Sequence, residues 1–390
     1  MRPIGNILLI TRNFPPLQGG MERLILHLAQ ALASDYHVVL CGPDGAGSFF
    51  PEGFVVREVQ HRPLWRFLIK SFGAALMLSV RHRPKAIFGG SGLIGPAARI
   101  VSWLCGCPAI VYLHGLDIVV DHPLYRLCFL PFIRRCDLLL VNSHSTRQLA
   151  INAGIPAAHV HILHPGTSLP DFPGDAERAE NRARFIEKLK IGSAPILLSV
   201  GRLTQRKGLC EFIKMCLPDI VRAHPDCLLL VIGDAPKNAL LAERFSQRKC
   251  AEKACLELGL TNNVRFLGEV DDATLAQAYQ NASALIFPVI ERPGDIEGFG
   301  MVAIEAAAHG TPTLAFAVGG VPDAVSDGVS GRLLAPGDYA GMRAAVLDIL
   351  DRPGAYPGCR AFAEKFAWPV FGEQLRRIVG DRVLPPSEKQ

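Results

Sequence analysis

The residues best suited to chemistry in this 390-residue chain form an acidic, glycine-rich motif, E-G-F-G-M, which begins at Glu297 and is followed by Glu305. The motif opens an alanine-rich helical pattern. The amides of Phe299, Gly300 and Met301 are therefore expected at a helix start, where exposed N–H groups and the helix dipole favour a phosphate. Glu305 would accept hydrogen bonds from vicinal hydroxyls such as those of a ribose, and Glu297 from a second sugar. An acidic first turn with a solvated glutamate is the alternative interpretation.

Three further motifs follow apolar strand patterns. In G-R-L-T-Q-R-K-G, Arg202 and Lys207 would clamp a diphosphate, because arginine offers a fork of donors and lysine a point charge. In F-P-P-L-Q-G-G, Gly19 and Gly20 let backbone amides approach a phosphate. His114 ends another strand pattern. The alternatives are surface salt bridging, a tight turn and a structural histidine, and the convergence of several motifs favours the functional interpretation.

The elements that must position these residues are short apolar runs alternating with helical periodicity, which is typical of βαβ units and parallel sheets. Seven runs precede residue 165: Ile7–Thr11, Val38–Cys41, Val55–Val59, Ala86–Gly89, Ile110–His114, Leu138–Asn142 and Val160–Leu163. Six follow residue 193: Ile196–Val200, Leu228–Ile232, Val264–Leu267, Leu285–Phe287, Thr313–Phe316 and Arg332–Leu334. The pattern predicts an α/β fold of two doubly wound, Rossmann-like domains facing across a cleft, because ligands bind beyond the carboxyl ends of parallel strands.

The domain boundaries are predicted where the alternation of strand and helix patterns is interrupted. We predict an N-terminal domain at 1–170, a linker at 171–192 and a C-terminal domain at 193–360. The last segment, 361–390, is predicted to return to the N-terminal domain as a helix that bends near Trp368 and Pro369.

Composition excludes several classes of protein. With 49% hydrophobic and 20% charged residues and a mean hydropathy of +0.24, the chain is globular rather than disordered. A net charge of +5 does not call for a nucleic-acid partner. Eleven cysteines without regular spacing indicate buried thiols in a reducing compartment rather than disulfides or a metal site. The N-terminal apolar run is too short for a signal peptide, and no spanning helix is predicted, so we expect a cytoplasmic location.

A dinucleotide fingerprint, G-S-G-L-I-G, begins at Gly90 and is followed by Asp117 at suitable spacing. It comes after the fourth strand of its half rather than the first, and Pro96 follows at once. A structural strand-to-helix turn is therefore favoured over a nicotinamide oxidoreductase.

The segment 57–99 is strongly basic. Its basic residues are interleaved with aromatic and aliphatic ones, and Glu58 is the sole acid. The basic residues are Arg57, Arg62, Arg66, Lys70, Arg81, Arg83, Lys85 and Arg99. This pattern suits the headgroup layer of an anionic membrane, and it equally suits an amphipathic helix packed on its sheet.

Taken together, the motifs resemble the retaining glycosyltransferases of the GT-B fold, family 4, and within them the mannosyltransferase-like branch. The matching motifs are F-P-P-x-x-G-G, H-G-x-D, N-S-x-S-T, P-G, V-G-R-L-x-x-R-K-G, E-G-F-G-x-x-x-x-E and G-G-V-P-D. They span nearly the whole chain.

The resemblance implies transfer of a hexose, mannose or a related deoxyhexose, from a nucleotide diphosphate sugar to a glycolipid or lipid-linked saccharide. It implies that Glu305 binds the nucleotide ribose, Glu297 the donor sugar and Val270 the base. It also places His114 near the anomeric carbon and makes the leaving phosphate the proton acceptor. No D-x-D motif is in the expected role, so the expected reaction needs no metal and no cofactor beyond the donor.

Two alternatives share the expected fold and clamp. A sugar-nucleotide epimerase would need no acceptor, and a non-catalytic binding protein would not turn its ligand over. Peripheral attachment to the inner face of the cell membrane is a further expectation, drawn from the basic segment.

Overall fold

The computed structural model describes residues 3–50, 54–171, 174–234 and 247–383. The chain forms two compact units. The first comprises Met1–Gly166 and Trp368–Gln390, and the second is Thr167–Ala367.

Within the described residues, strands and helices alternate along the chain. The strands are β1 Asn6–Ile10, β2 His37–Pro43, β3 Val55–Val59, β4 Ala86–Gly89, β5 Ala109–Leu113, β6 Leu138–Val141, β7 Val160–Ile162, β8 Ile196–Val200, β9 Leu228–Ile232, β10 Val264–Gly268, β11 Ala284–Phe287, β12 Thr313–Phe316 and β13 Gly331–Leu334. The helices are α1 Gly20–Ala33, α2 Leu64–His82, α3 Gly95–Cys105, α4 Leu116–Val119, α5 Pro123–Cys128, α6 Leu130–Ile133, α7 His144–Asn152, α8 Asp175–Leu189, α9 Leu209–Met215, α10 Leu217–Ala223, α11 Gln247–Glu257, α12 Asp272–Asn281, α13 Met301–Ala308, α14 Val321–Ala324, α15 Tyr339–Asp351, α16 Cys359–Glu364 and α17 Trp368–Val383.

The first unit is built on a parallel sheet of order β3-β2-β1-β4-β5-β6-β7. Its central strands are buried on both faces, which is why they read as continuous apolar runs rather than alternating ones. Along β1, Ile7 and Leu9 enter the core on one face while Leu8 and Ile10 enter the core on the other. The carboxyl ends of the inner strands, where predicted site residues lie, are thereby fixed from both sides.

The second unit repeats this plan with a parallel sheet of order β10-β9-β8-β11-β12-β13. The order reverses direction between β8 and β11, so the connections after these strands leave in opposite senses at a topological switch point. The predicted α/β class, with two doubly wound Rossmann-like sheets, is confirmed.

The junction segments are structured. The stretch that sequence analysis treats as a linker contains α8, whose Phe185 is fully buried in the core of the second unit. The C-terminal helical pattern is two helices. The first, α16, packs on α13 in the second unit, and the second, α17, packs on α1 in the first unit. The Trp368 ring stacks on His27 at 3.8 Å, where burial lowers the pKa of that histidine to about 4.

Several helix starts follow from local hydrogen bonding. The side-chain oxygens of Ser143, Asp271 and Asp338 each accept an N–H from the residue three positions on. The Ser143 cap explains the N-S-x-S-T motif as a helix start after β6. Among the described residues, no helix has both the length and the apolar character needed to cross a bilayer.

One cysteine expectation is wrong. Cys210 at the start of α9 and Cys250 in α11 form a disulfide, with their Cα atoms 5.9 Å apart. The pair is separated by 40 residues, and its two members become neighbours only when the two helices pack together. Six of the remaining nine cysteines are buried thiols, as expected.

Candidate functional site

The E-G-F-G loop lies between β11 and α13, at the carboxyl edge of the second sheet. Gly300 caps α13 with φ of 99°, a left-handed conformation that favours glycine, and a Cβ there would lie 2.8 Å from the Phe287 ring. The Gly300 cap makes no side-chain hydrogen bond to α13, and a helix start of this kind favours an anion. The structure therefore places Phe299, Gly300 and Met301 where the sequence predicts them, at a helix start.

A second glycine motif packs beneath this loop. The Gly320 amide donates to the Glu297 carbonyl over 2.9 Å, and a Cβ on Gly320 would lie 2.0 Å from the Gly298 oxygen. The G-G-V-P-D motif thus supports the E-G-F-G loop through backbone contact that only glycine permits.

We predict that Gly320→Ala displaces the loop. The atoms that a Cβ on Gly320 would meet are backbone atoms of Gly298 and Phe299, so the clash can be relieved only if the loop itself moves. We therefore expect the melting temperature to fall by several degrees and the KM for the ligand bound by the loop to rise. Differential scanning fluorimetry and steady-state kinetics would measure both. Gly380→Ala, where a Cβ would meet no atom within 4 Å, is the control. A fully active, equally stable Gly320→Ala protein would contradict the supporting role.

A buried ion cluster joins this loop to the loop after β8. The Glu297 carboxylate accepts from Lys207 Nζ at 2.7 Å and from Arg206 Nε at 3.2 Å, and Arg206 also donates to Asp295 at 2.7 Å. Burial opposes the ionisation of Glu297, but the charges of Lys207 and Arg206 outweigh it and hold the pKa of this carboxyl below its ordinary value. Two cations and two carboxylates make the cluster neutral overall.

The two cations predicted to clamp a diphosphate, Arg202 and Lys207, have different surroundings in the structure. Lys207 is paired with Glu297 and lies 4.5 Å above the Phe287 ring, and burial lowers the pKa of its ammonium. Arg202 is exposed in the same loop. Arg206, which is buried at the centre of the cluster, is not among the residues predicted from sequence. An arginine beside a lysine in a basic motif gives no sign in sequence of being buried.

Glu305 lies in the second turn of α13. Its carboxylate accepts a 3.0 Å hydrogen bond from the hydroxyl of Tyr279, at the end of α12, and the Tyr279 ring stacks on His309 at 5.3 Å. Tyr279 is not among the residues predicted from sequence, because an aromatic residue on an apolar helix face is typical of a core position. Val270 lies half-buried in the loop after β10, at the carboxyl edge of the same sheet.

In the first unit, His114 follows β5 and is largely buried. Its Nε2 lies 2.9 Å from the Gly90 carbonyl, and its backbone amide donates to the Asp117 carboxylate over 3.0 Å. A Cβ on Gly90 would lie 2.4 Å from the Thr11 hydroxyl, and one on Gly92 would meet Asp117 at 2.7 Å. Close packing therefore explains Gly90 and Gly92 of the dinucleotide-like fingerprint.

Gly19 and Gly20 lie exposed where β1 leads into α1, and Gly19 caps this helix. The structure thus places every predicted site residue near a carboxyl strand end or helix start of its own sheet. In the second unit, Glu297 and Lys207 touch. The other predicted residues of that unit are Arg202, Val270, Phe299, Gly300, Met301 and Glu305, and those of the first unit are Gly19, Gly20 and His114.

Two parts of the chain match family models of glycosyltransferases. Residues 18–169 match the family model described as Glycosyltransferase Family 4, and residues 181–366 match that of Glycosyl transferases group 1. The GDP-mannose-dependent alpha-(1-6)-phosphatidylinositol monomannoside mannosyltransferase of Mycolicibacterium smegmatis is 26% identical over 96% of this chain and 98% of its own length. A D-inositol 3-phosphate glycosyltransferase of Mycolicibacterium vanbaalenii is 35% identical over 54% of this chain and 46% of its own.

Two solved structures share the fold. Anabaena HepE, in complex with UDP and glucose, matches with a TM-score of 0.77 and 20% identity over 97% of this chain and 100% of its own. The sucrose-phosphate synthase of Thermosynechococcus elongatus matches with a TM-score of 0.75 and 22% identity over 97% of this chain and 98% of its own.

Proposed function

Because this chain belongs to the family 4 glycosyltransferases of the GT-B fold, we propose that it transfers mannose or a related deoxyhexose from a nucleotide diphosphate sugar to a glycolipid or lipid-linked saccharide, with retention at the anomeric carbon. The observation that carries the proposal is the Lys207–Glu297 pair beside the start of α13. The mannose donor is supported by a relative, matched over nearly the whole of both chains, whose name specifies GDP-mannose.

The ion cluster suits departure of a diphosphate. In this proposal, Lys207 exchanges its 2.7 Å contact with Glu297 for a phosphate oxygen, and amides at the start of α13 add further donors. Arg202, exposed in the same loop, supplies a second cation. Glu297, released from Lys207 but still held by Arg206, then has oxygen lone pairs for hydroxyls of the donor sugar.

This arrangement favours a reaction without an enzymic nucleophile. A carboxylate held by two cations is a weak nucleophile, since its charge is already engaged. The leaving phosphate is then the group that accepts the proton of the acceptor hydroxyl, on the face it departs from, which gives retention. In the second unit, we propose that Val270 contacts the base. The roles expected of His114, Gly19 and Gly20 in the first unit stay predictions.

The function is tested by incubating the purified protein with a panel of nucleotide diphosphate sugars, with and without a glycolipid acceptor. We expect selective thermal stabilisation by one donor, acceptor-dependent release of the nucleoside diphosphate, and a glycoside product that NMR shows to have the anomeric configuration of the donor. Release of an epimerised nucleotide sugar without acceptor would support the epimerase instead, and binding without turnover would support a non-catalytic role. Either result overturns the proposal.

We propose that Glu305 binds the nucleotide ribose and that Tyr279 orients it. Tyr279→Phe removes the hydroxyl that donates the 3.0 Å hydrogen bond to Glu305. We therefore expect the KM for the nucleotide sugar to rise about tenfold with little change in kcat, and the free energy of unfolding to fall by about 1 kcal/mol. Kinetics at varied donor concentration separates the two constants. Tyr356→Phe, a tyrosine elsewhere in the second unit, is the control. A lowered kcat at unchanged KM would argue against a ribose role.

We also propose that α2 brings the protein to an anionic membrane, where lipid-linked acceptors lie. Its outward face carries Trp65, Ile69 and Val80, which are 58%, 65% and 81% exposed, beside Arg66 and Lys70, and the helix contains no acidic residue. Exposed apolar side chains flanked by cations match the chemistry of an anionic headgroup layer.

We expect the protein to co-sediment with phosphatidylglycerol vesicles at low salt and to be released at high salt, because cation attraction is screened. Ile69→Ser should weaken this binding several-fold, whereas Leu256→Ser, a 73% exposed leucine of the second unit, should not. Equal binding to neutral phosphatidylcholine vesicles, or none to either, would exclude this surface as a membrane contact.

A further inference from the structure

The large apolar side chains that reach solvent are unevenly distributed over the molecule. Among the described residues, twelve of them belong to the first unit and four to the second. Seven of those twelve lie on α2 and α3: Leu64, Trp65, Ile69, Met77, Val80, Trp103 and Leu104. Singly scattered apolar residues need no explanation, but their concentration on two helices indicates an interaction surface.

The last turn of α3 presents two of these side chains side by side. Trp103 and Leu104 are consecutive, and they are 70% and 58% exposed. Gly106, in a left-handed conformation, donates its amide to the Trp103 carbonyl over 3.3 Å, and the Cys107 amide donates to the Ser102 carbonyl over 3.1 Å. Such bonds close the end of a helix. The indole and the leucine side chain are therefore held in solvent by a closed helical turn.

The helices α2 and α3 cover the same face of the first sheet. Phe67 and Leu78 of α2 are buried in one core cluster with Ala98 and Val101 of α3, and the two helices contact each other. The opposite sides of both helices therefore point away from the sheet in the same direction. The exposed end of α3 thus adds to the apolar outward face of α2.

The charge around these helices is positive. No aspartate or glutamate occurs between Glu58 and Asp117, a stretch that contains both helices. The basic residues of the stretch are Arg62, Arg66, Lys70, Arg81, Arg83, Lys85 and Arg99. Apolar side chains among cations complement an anionic lipid headgroup layer. A second copy of the chain would instead bring the same cations against them, so the charge favours a bilayer over a dimer.

We propose that the end of α3 is a second membrane anchor, with Trp103 and Leu104 inserted at the boundary between headgroups and acyl chains of an anionic bilayer. This inference rests on the membrane contact proposed for α2. It orients the first unit, because the outward sides of α2 and α3 would both face the bilayer. Tryptophan suits this depth, since its ring is apolar while its indole N–H finds a partner among headgroups or water.

The test is quenching of tryptophan fluorescence in the full chain by vesicles of phosphatidylglycerol and phosphatidylcholine with brominated acyl chains. The chain has three tryptophans: Trp65 on α2, Trp103 on α3 and Trp368, which stacks on His27. We expect Trp65→Phe and Trp103→Phe each to remove part of the quenching, and the double variant to remove nearly all of it. Phenylalanine keeps the position apolar, so binding is retained. Brominated vesicles of phosphatidylcholine alone are the control and should quench little.

Vesicle sedimentation separates the apolar contribution from that of charge. Leu104→Ser should weaken binding about fivefold at each of two salt concentrations, because it removes apolar area from the contact. Lys70→Gln should weaken binding at the lower salt concentration and have less effect at the higher one, because salt screens the cation. Leu256→Ser, which alters a 73% exposed leucine of the second unit, is the matched control and should bind like the wild type.

Several outcomes overturn the proposal. Quenching of Trp65 without quenching of Trp103 would remove the anchor on α3 and leave the contact of α2 intact, whereas quenching of neither would remove both. Equal weakening by Leu104→Ser and Leu256→Ser would show that the end of α3 is not a specific contact. A dimer in vesicle-free solution that Leu104→Ser dissociates, measured by analytical ultracentrifugation, would assign the surface to a second copy of the chain. These measurements need no turnover, so their result is independent of the proposed transferase activity.

Discussion

Replacing Lys207 with alanine should lower kcat/KM by about 10² to 10³ while leaving the protein folded. Glu297 at 2.7 Å and the face of the Phe287 ring hold the ammonium beside the E-G-F-G loop, where we propose that charge develops on a leaving diphosphate. Glu297 keeps Arg206 as a partner, and the cluster is not left without a cation. Stopped assays of nucleoside diphosphate release would give the rate, and circular dichroism would check the fold.

The control for this variant is Lys214→Ala, which removes an exposed lysine from the helix that follows the same loop. It should be fully active. Wild-type turnover by Lys207→Ala would refute the assignment of the diphosphate site. A loss of activity accompanied by unfolding would be resolved with Lys207→Met, which keeps the apolar stem over the Phe287 ring.

Replacing Arg206 with methionine should destabilise the protein by about 3–5 kcal/mol, because breaking a buried ion cluster leaves carboxylates without enough partners. Arg206 contacts both Asp295 and Glu297, and it is buried. We expect activity to fall as well, since Glu297 would keep Lys207 bound rather than release it to a phosphate. Urea denaturation monitored by fluorescence measures the first effect and kinetics the second.

Arg222→Met is the matched control, because Arg222 forms a surface ion pair with Asp219 and is 76% exposed at its side chain. Surface pairs contribute less than about 1 kcal/mol, so the free energy of unfolding of this variant should hardly change.

The ion cluster also makes the stability of the protein depend on pH. The pKa of Glu297 is lowered in the folded protein below its ordinary value of 4.5, so its stabilising contribution is complete above that pH and is lost as the pH falls further. Equal stability of Arg206→Met and Arg222→Met would contradict a structural role for the cluster.

The sheets could be predicted from sequence because their strands are apolar on both faces. Runs such as Ile196–Val200 and Leu228–Ile232 coincide with β8 and β9, and every other predicted strand overlaps an observed one. Helix boundaries were harder. The break between α16 and α17 follows from packing on different units, which no local pattern in the segment encodes.

The loops of the candidate site could be predicted from sequence, but the hydrogen-bond and ion-pair partners of its side chains could not. Glycines before helices and acids at fixed spacing are local features, so the E-G-F-G loop could be found by inspection. Arg206 and Asp295 lie 89 residues apart and Tyr279 and Glu305 lie 26 apart, and their pairing depends on which strands are neighbours. Sequence shows that such residues are present, but their burial decides whether they are solvated or form a rigid network.

The disulfide between Cys210 and Cys250 ties the helix that follows the Lys207 loop to a helix beyond residues 235–246. Closing a loop of 40 residues restricts the denatured chain by about 4 kcal/mol in the chain-entropy model. Samples stored with and without dithiothreitol are consequently two chemically distinct materials. Melting temperatures or rates from different preparations can be compared only after the thiols have been titrated.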